Sequence, residues 1–173
     1  MAITNAETAR SLFVTGLKNA HALEQQATQI ISRQLDRIES YPEVADRLRK
    51  HLDETRTHQQ RVEEILGSLN ETYSALKDFG AGFMGNMAAL AHTPAPDEIL
   101  KNSFANLAFE NYEIAAYTSL IALGEANGAN GALSALKQTL KEEQEMAKWV
   151  ADHLKSITLT FLERSSAGAK ADR

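Results

Sequence analysis

The chain has 173 residues, 43% hydrophobic and 24% charged, the balance of one folded globular domain and neither a disordered nor a collagen-like chain. It contains no cysteine, which excludes disulfides, thiolate zinc sites, iron–sulfur clusters and cysteine catalysis, so that any bound metal must be held by carboxylate and imidazole, the ligands of iron, manganese or zinc. The formal net charge of −5 and the absence of an 18-residue apolar run argue against nucleic acid and membrane as partners, and with no leader-like N-terminus the expected compartment is the cytoplasm.

Three prolines punctuate stretches rich in Ala, Leu, Glu, Gln, Lys and Arg, and no β-type alternation occurs, so the fold is expected to be all-α. A first helix is predicted from about Asn5 to Glu39, broken by Ser40-Tyr41-Pro42. Pro42 suits the first turn of a second helix, which is predicted to run to about Tyr73. Ser74 to Thr93 carries Gly80, Gly82 and Gly85 among apolar residues and is read as a crossover with a short extra helix. Its Phe79, Phe83, Met84 and Met87 cap the bundle core or form a patch for a partner. Pro94-Ala95-Pro96-Asp97 starts a third helix that Asn127-Gly128 stops. A fourth is predicted from about Ala132 to Glu163. These elements make a four-helix bundle with one long crossover over residues 1–163, the ferritin-like connectivity, followed by a flexible tail over 164–173.

A bundle helix buries positions spaced three and four apart. In that register the first helix presents Leu17, Ala20, Glu24, Ala27 and Ile31. The second presents Val44, Leu48, His51, Thr55, His58, Val62, Ile65 and Leu69. The third presents Leu100, Ser103, Leu107, Glu110, Ile114, Tyr117 and Ile121, and the fourth Leu136, Leu140, Glu143, Ala147, Val150, Leu154, Ile157 and Phe161. Each seam is apolar at its ends and interrupted near its middle by Glu or His. Glu54 lies between His51 and His58, and Glu113 lies three residues beyond Glu110.

Burying several carboxylates together is untenable unless protons or cations neutralise them. A pair of metal ions held by four glutamates and one or two histidines does so, as in di-iron carboxylate bundles. The candidate ligands are therefore Glu24, Glu54, His58, Glu110, Glu113 and Glu143. Glu110 is read as a fifth carboxylate ligand, one that moves with redox state, or an exposed neighbour. Glu142 competes with Glu143 for the inward position. His51 and His21 are read as outer supports or surface groups, and Tyr117 as core or as a hydrogen-bonding partner of the site.

Four segments carry a resemblance. Leu17-Lys-Asn-Ala-His-Ala-Leu-Glu24, His51-Leu-Asp-Glu54-Thr55 with Arg61-Val-Glu63, Tyr112-Glu113-Ile-Ala-Ala-Tyr117 and Thr139-Leu-Lys-Glu142-Glu143 resemble, in order, the helices of the YciE/YciF family of ferritin-like proteins. The resemblance implies a ferritin-like bundle associated with bacterial stress responses, a homodimer, and a site for two iron ions, with manganese or zinc as alternatives. Rubrerythrin is similar in its chemistry: one Glu on the first helix, Glu-x-x-His on the second, Glu-x-x-Glu on the third and Glu-x-x-His on the fourth. Glu24 and Glu110-x-x-Glu113 fit that pattern. Glu54 departs from it, with His58 at +4, and so does Glu143, with Met146 at +3, because a thioether is a poor ligand for hard ferric iron.

Two functions are expected to compete. One is a di-iron protein reacting with dioxygen or peroxide, or oxidising ferrous iron. The other is a non-enzymatic structural or interaction protein of the stress response with a vestigial or structural metal site.

Overall fold

The computed structural model describes residues 6–73 and 95–173. The expected crossover helix, its apolar residues and Pro94 lie outside them. Four helices account for nearly all of the described chain: α1 (Ala6–Leu35), α2 (Pro42–Ser68), α3 (Glu98–Ala126) and α4 (Asn130–Ser166). No strand occurs among the described residues, and no helix there is long and apolar enough to cross a membrane. The hairpins α1–α2 and α3–α4 pack most extensively, α1 lies against α3, and α2 meets α4 over a narrower strip.

The helix ends follow from local chemistry. Pro42 opens α2 as expected. α3 ends on Gly128, whose φ of 70° lets Ala129 N–H reach Gly124 O at 2.9 Å and Gly128 N–H reach Glu125 O at 3.2 Å, a closure that leaves few carbonyls unsatisfied. α4 closes in the same way on Gly168. Asn70, at φ 57°, does so for α2, with Glu71 N–H bonded to Leu66 O at 2.9 Å. That is why α2 stops at Ser68 and not near Tyr73: asparagine tolerates the left-handed turn that other residues avoid.

Most expected seam positions are buried, but α3 is rotated from its predicted register. Its inward line runs Ser103, Asn106, Glu110, Glu113, Tyr117, Leu120 and Gly124, while Leu100, Leu107 and Ile114 are only half-buried. Both Glu110 and Glu113 therefore face the interior. Apolar side chains form two separate clusters. One is built around Leu23, Ile31, Leu48, Phe109, Met146 and Val150. The other is built around Phe13, Leu17, Val62, Leu66, Tyr117 and Leu136. The glutamates and histidines of the seams lie between the two.

The predicted flexible tail is instead tied back to the bundle. Tyr41 OH donates to Ala171 O at 2.6 Å, Ile99 N–H to Asp172 O at 2.7 Å and Ser40 N–H to Arg173 O at 3.1 Å, and Ala171 is buried. The tail supplies acceptors to the first turn of α3 and to the α1–α2 corner, where helix starts leave N–H groups without partners. Tyr41→Phe should cost about 1–3 kcal/mol, because the Ala171 carbonyl is then buried without its donor. Urea unfolding should show the loss, and carboxypeptidase should trim residues 170–173 faster.

Candidate metal centre

Each helix contributes to one buried polar layer. Glu24 comes from α1, His51 and His58 from α2, Glu110 and Glu113 from α3, and Glu143 from α4; all are at most 4% exposed. His51 and His58 are seven residues apart, two helical turns, and so face the same side. Two groups of potential ligand atoms result. Glu24, His58 and Glu143 converge within 4.8 Å, as do His51, Glu110 and Glu143. Glu143 belongs to both: Oε1 lies 2.8 Å from His58 Nδ1 and Oε2 lies 3.6 Å from His51 Nε2. His58 Nδ1 is also 3.4 Å from Glu24 Oε2, and His51 Nε2 is 3.3 Å from Glu110 Oε2. Glu113 belongs to neither triad, but Glu24, Glu110 and Glu143 are its electrostatic neighbours.

Glu24 Oε2, His58 Nδ1, His51 Nε2, Glu110 Oε2 and both oxygens of Glu113 and of Glu143 are buried and receive no well-directed hydrogen bond, apart from the close approaches to one another just given. Buried polar groups in native proteins are otherwise paired nearly throughout. Three atoms on the outer side are held: Tyr117 OH donates to Glu24 Oε1 at 2.5 Å, His58 Nε2 bonds Glu142 Oε2 at 2.8 Å, and His51 Nδ1 bonds Glu54 Oε2 at 3.1 Å. Oxygen and nitrogen atoms converging from four helices, with Glu24, His51 and His58 braced from behind, fit a pair of metal ions. With neutral imidazoles, two divalent cations would balance the charge of Glu24, Glu110, Glu113 and Glu143.

The expected ligands sort as follows. Glu24, His58, Glu110 and Glu143 are brought together, with Glu113 beside them. Glu54 stands outside, on His51 Nδ1, Arg47 at 3.0 Å and Lys50 at 3.1 Å. His51, expected as an outer support, takes the inward place that Glu54 was expected to fill. Glu142 also faces outward, where Arg61 and Gln138 donate to it. His21 lies apart, 2.8 Å from Glu63 and packed on Tyr73 with ring centroids 4.6 Å apart. Met146 is buried in the apolar core. The signal for His51 was its seam position seven residues before His58.

Electrostatics divides the layer from its surroundings. Burial pushes the Glu24 and Glu113 carboxyls up, Glu113 strongly, and the neighbouring carboxylates add to this. Burial likewise raises Glu143 to about 7. Burial opposes charge on His58, yet Glu143 and Glu24 hold it up at about 10. Glu54 and Glu142 go the other way: despite partial burial, His51, Arg47 and Lys50 hold Glu54 at about 2, and Arg61, Gln138 and His58 hold Glu142 at about 2.

Fold and site together define a four-helix bundle with a buried carboxylate–imidazole layer able to hold metal. The chain belongs to the family described as a domain of unknown function (DUF892), whose model matches residues 8–163. It is 27% identical to protein YciF of Escherichia coli (strain K12), over 97% of this chain and 98% of that one. The crystal structure of a protein from Xanthomonas campestris pv. campestris matches with a TM-score of 0.78 and 28% identity, covering 91% of this chain and 99% of that chain. That of the E. coli stress protein YciF matches with a TM-score of 0.74 and 24% identity, covering 84% and 94%. The YciE/YciF resemblance carried by the four helical segments is therefore borne out.

Without metal, the raised groups set the pH response. Glu143, raised to about 7, contributes stability that is present below its ordinary 4.5 and lost as pH rises through 7. His58, raised to about 10, contributes stability present below 6.5 and lost as pH rises through 10. Glu54 and Glu142 contribute stability present above 4.5 and lost as pH falls through about 2. Chelator-treated protein should therefore be most stable near about pH 5, and its thermal midpoint should fall steadily toward about pH 8. Circular dichroism melts that stay flat or rise over that interval would contradict the assignment.

Proposed function

We propose that the chain is a di-metal carboxylate protein, its two ions iron in the first instance, with manganese or zinc as alternatives. In this reading it serves a bacterial stress response as a cytoplasmic homodimer and reacts with dioxygen or peroxide, or oxidises ferrous iron. The observation that carries the reading is the pair of buried ligand triads that share Glu143, their inward atoms without well-directed hydrogen bonds. The likeness to the E. coli stress protein YciF supports the physiological setting.

Bound metals of this kind supply Lewis acidity and electron exchange. The chain's own residues provide the rest. Glu24 and His58 would hold one ion and His51 and Glu110 the other; Glu143 would join the two, with Glu113 as the remaining carboxylate. Tyr117 keeps one Glu24 oxygen occupied, so the other is presented inward. The apolar clusters above and below exclude water from the layer and so strengthen every charge interaction within it.

One observation favours a second reading. Glu24, His58 and Glu143 are fully buried, and metals held there with protein ligands in every coordination position would be structural. A non-enzymatic stress protein built on the same metals would bind iron without consuming oxygen.

Elemental mass spectrometry on protein loaded with ferrous iron and desalted should find two irons per chain. Glu143→Ala should abolish both, and Glu113→Ala should remove metal binding. Unchanged iron in either variant refutes the site. Oxygen uptake on ferrous loading separates the two readings.

A further inference from the structure

The two histidines of α2 present different ring nitrogens to the buried layer. His58 faces it with Nδ1, which lies 2.8 Å from Glu143 and 3.4 Å from Glu24, and turns Nε2 to Glu142 at 2.8 Å. His51 faces it with Nε2, which lies 3.3 Å from Glu110 and 3.6 Å from Glu143, and turns Nδ1 to Glu54 at 3.1 Å. The rings are 6.4 Å apart between centroids and inclined at 70°. We propose that Glu142 and Glu54 are positioning residues that fix the two imidazoles in opposite senses, so that His58 binds metal through Nδ1 and His51 through Nε2. This rests on the di-metal reading above and adds that the two subsites are chemically unlike.

The cause lies in where each outer carboxylate comes from. Glu54 is three residues after His51 on the same helix, so it approaches from the backbone side and meets the near nitrogen, Nδ1. Glu142 comes from α4 across the helix interface and meets the far nitrogen, Nε2. With the inward carboxylates taken up by metal, the outer carboxylate, which when ionised only accepts, keeps the proton on the ring nitrogen facing it and leaves the inward nitrogen to bind metal. Both carboxylates are themselves anchored. Arg61 and Gln138 donate to Glu142, with Gln138 Nε2 at 2.7 Å, while Arg47 and Lys50 lie at 3.0 and 3.1 Å from Glu54. Neither clamp can swing to the other side of its ring without breaking these contacts.

The test uses the full chain with ¹⁵N-labelled histidine and zinc(II) as the probe. Two-bond ¹H–¹⁵N spectra distinguish a metal-bound Nδ1 from a metal-bound Nε2. Two imidazoles should respond to zinc, one with metal on Nδ1 and its proton on Nε2, the other reversed. Glu142→Ala should disturb only the first pattern and Glu54→Ala only the second, each weakening one zinc-binding step by about 10–100-fold. Glu142→Gln, whose amide oxygen still accepts, should restore most of the first. Two zinc-bound imidazoles on the same nitrogen, or a Glu142→Ala spectrum in which both patterns move or neither does, overturns this inference and leaves the di-metal reading standing. No zinc response overturns both. Should an alanine variant fail to fold, the spectrum of the unaltered protein decides by itself.

Discussion

Everything in this bundle is arranged around one electrostatic problem, four carboxylates and two imidazoles buried at mid-length among apolar helices. Isolated burial of even one such charge costs several kcal/mol. The fold does not avoid that cost by letting the side chains reach solvent, since all six residues are at most 4% exposed. It brings the groups together, so that whatever neutralises one neutralises its neighbours. Protons do this in the metal-free protein, which is why Glu24, Glu113 and Glu143 hold theirs more tightly than free carboxyls.

The unpartnered atoms carry weight because most of them lie in this one layer, with only Thr28 Oγ1, Asn102 Oδ1 and Arg173 Nε outside it among the described residues, and because other buried polar side chains are paired. Gln34 and Asn106, one turn from Glu110, form a reciprocal amide pair with both bonds at 2.9 Å. Glu98, also buried, receives two bonds from Arg37, at 2.7 and 2.6 Å. Thr55 donates to His51 O. A chain able to close these pairs leaves open the inward faces of Glu24, His51, His58, Glu110, Glu113 and Glu143 in one place. Around them the charge pattern is radial. Glu24, Glu113 and Glu143 in the layer are raised, while Glu54 and Glu142 at the rim are lowered, the first with Arg47 and Lys50 and the second with Arg61 beside it.

The architecture was legible in the sequence because helix formers, proline breaks and seam spacing all point the same way. The layer was legible because four seams are interrupted at the same height. Rotation about each helix axis was less so. A heptad register on α3 can be drawn through Leu100, Leu107 and Ile114 or through Asn106, Glu113 and Leu120, and hydrophobicity alone prefers the first; the fold takes the second. The same ambiguity exchanged His51 and Glu54, three residues apart on adjacent turns, where only the packing of α2 against α1 and α4 decides which points inward. The tail was misread because small polar residues suggest fraying, whereas backbone acceptors at residues 171–173 answer donors on distant segments, a match that no local pattern reveals.

The departure of Glu143 from a Glu-x-x-His pattern then has a physical account. Ferritin-like carboxylate bundles draw four glutamates and two histidines from four helices. This chain keeps that inventory and redistributes it. α2 supplies both imidazoles, α3 two carboxylates, and α1 and α4 one carboxylate each. With His51 already facing the layer, α4 needs no nitrogen at the position three after Glu143, and Met146 there serves the apolar cluster instead. The exchange also moves Glu54 off the layer and onto the ring of His51. Methionine in place of histidine three after Glu143, two inward histidines on α2 and the outward turn of Glu54 thus belong to one arrangement, in which α2 brings both imidazoles to the layer.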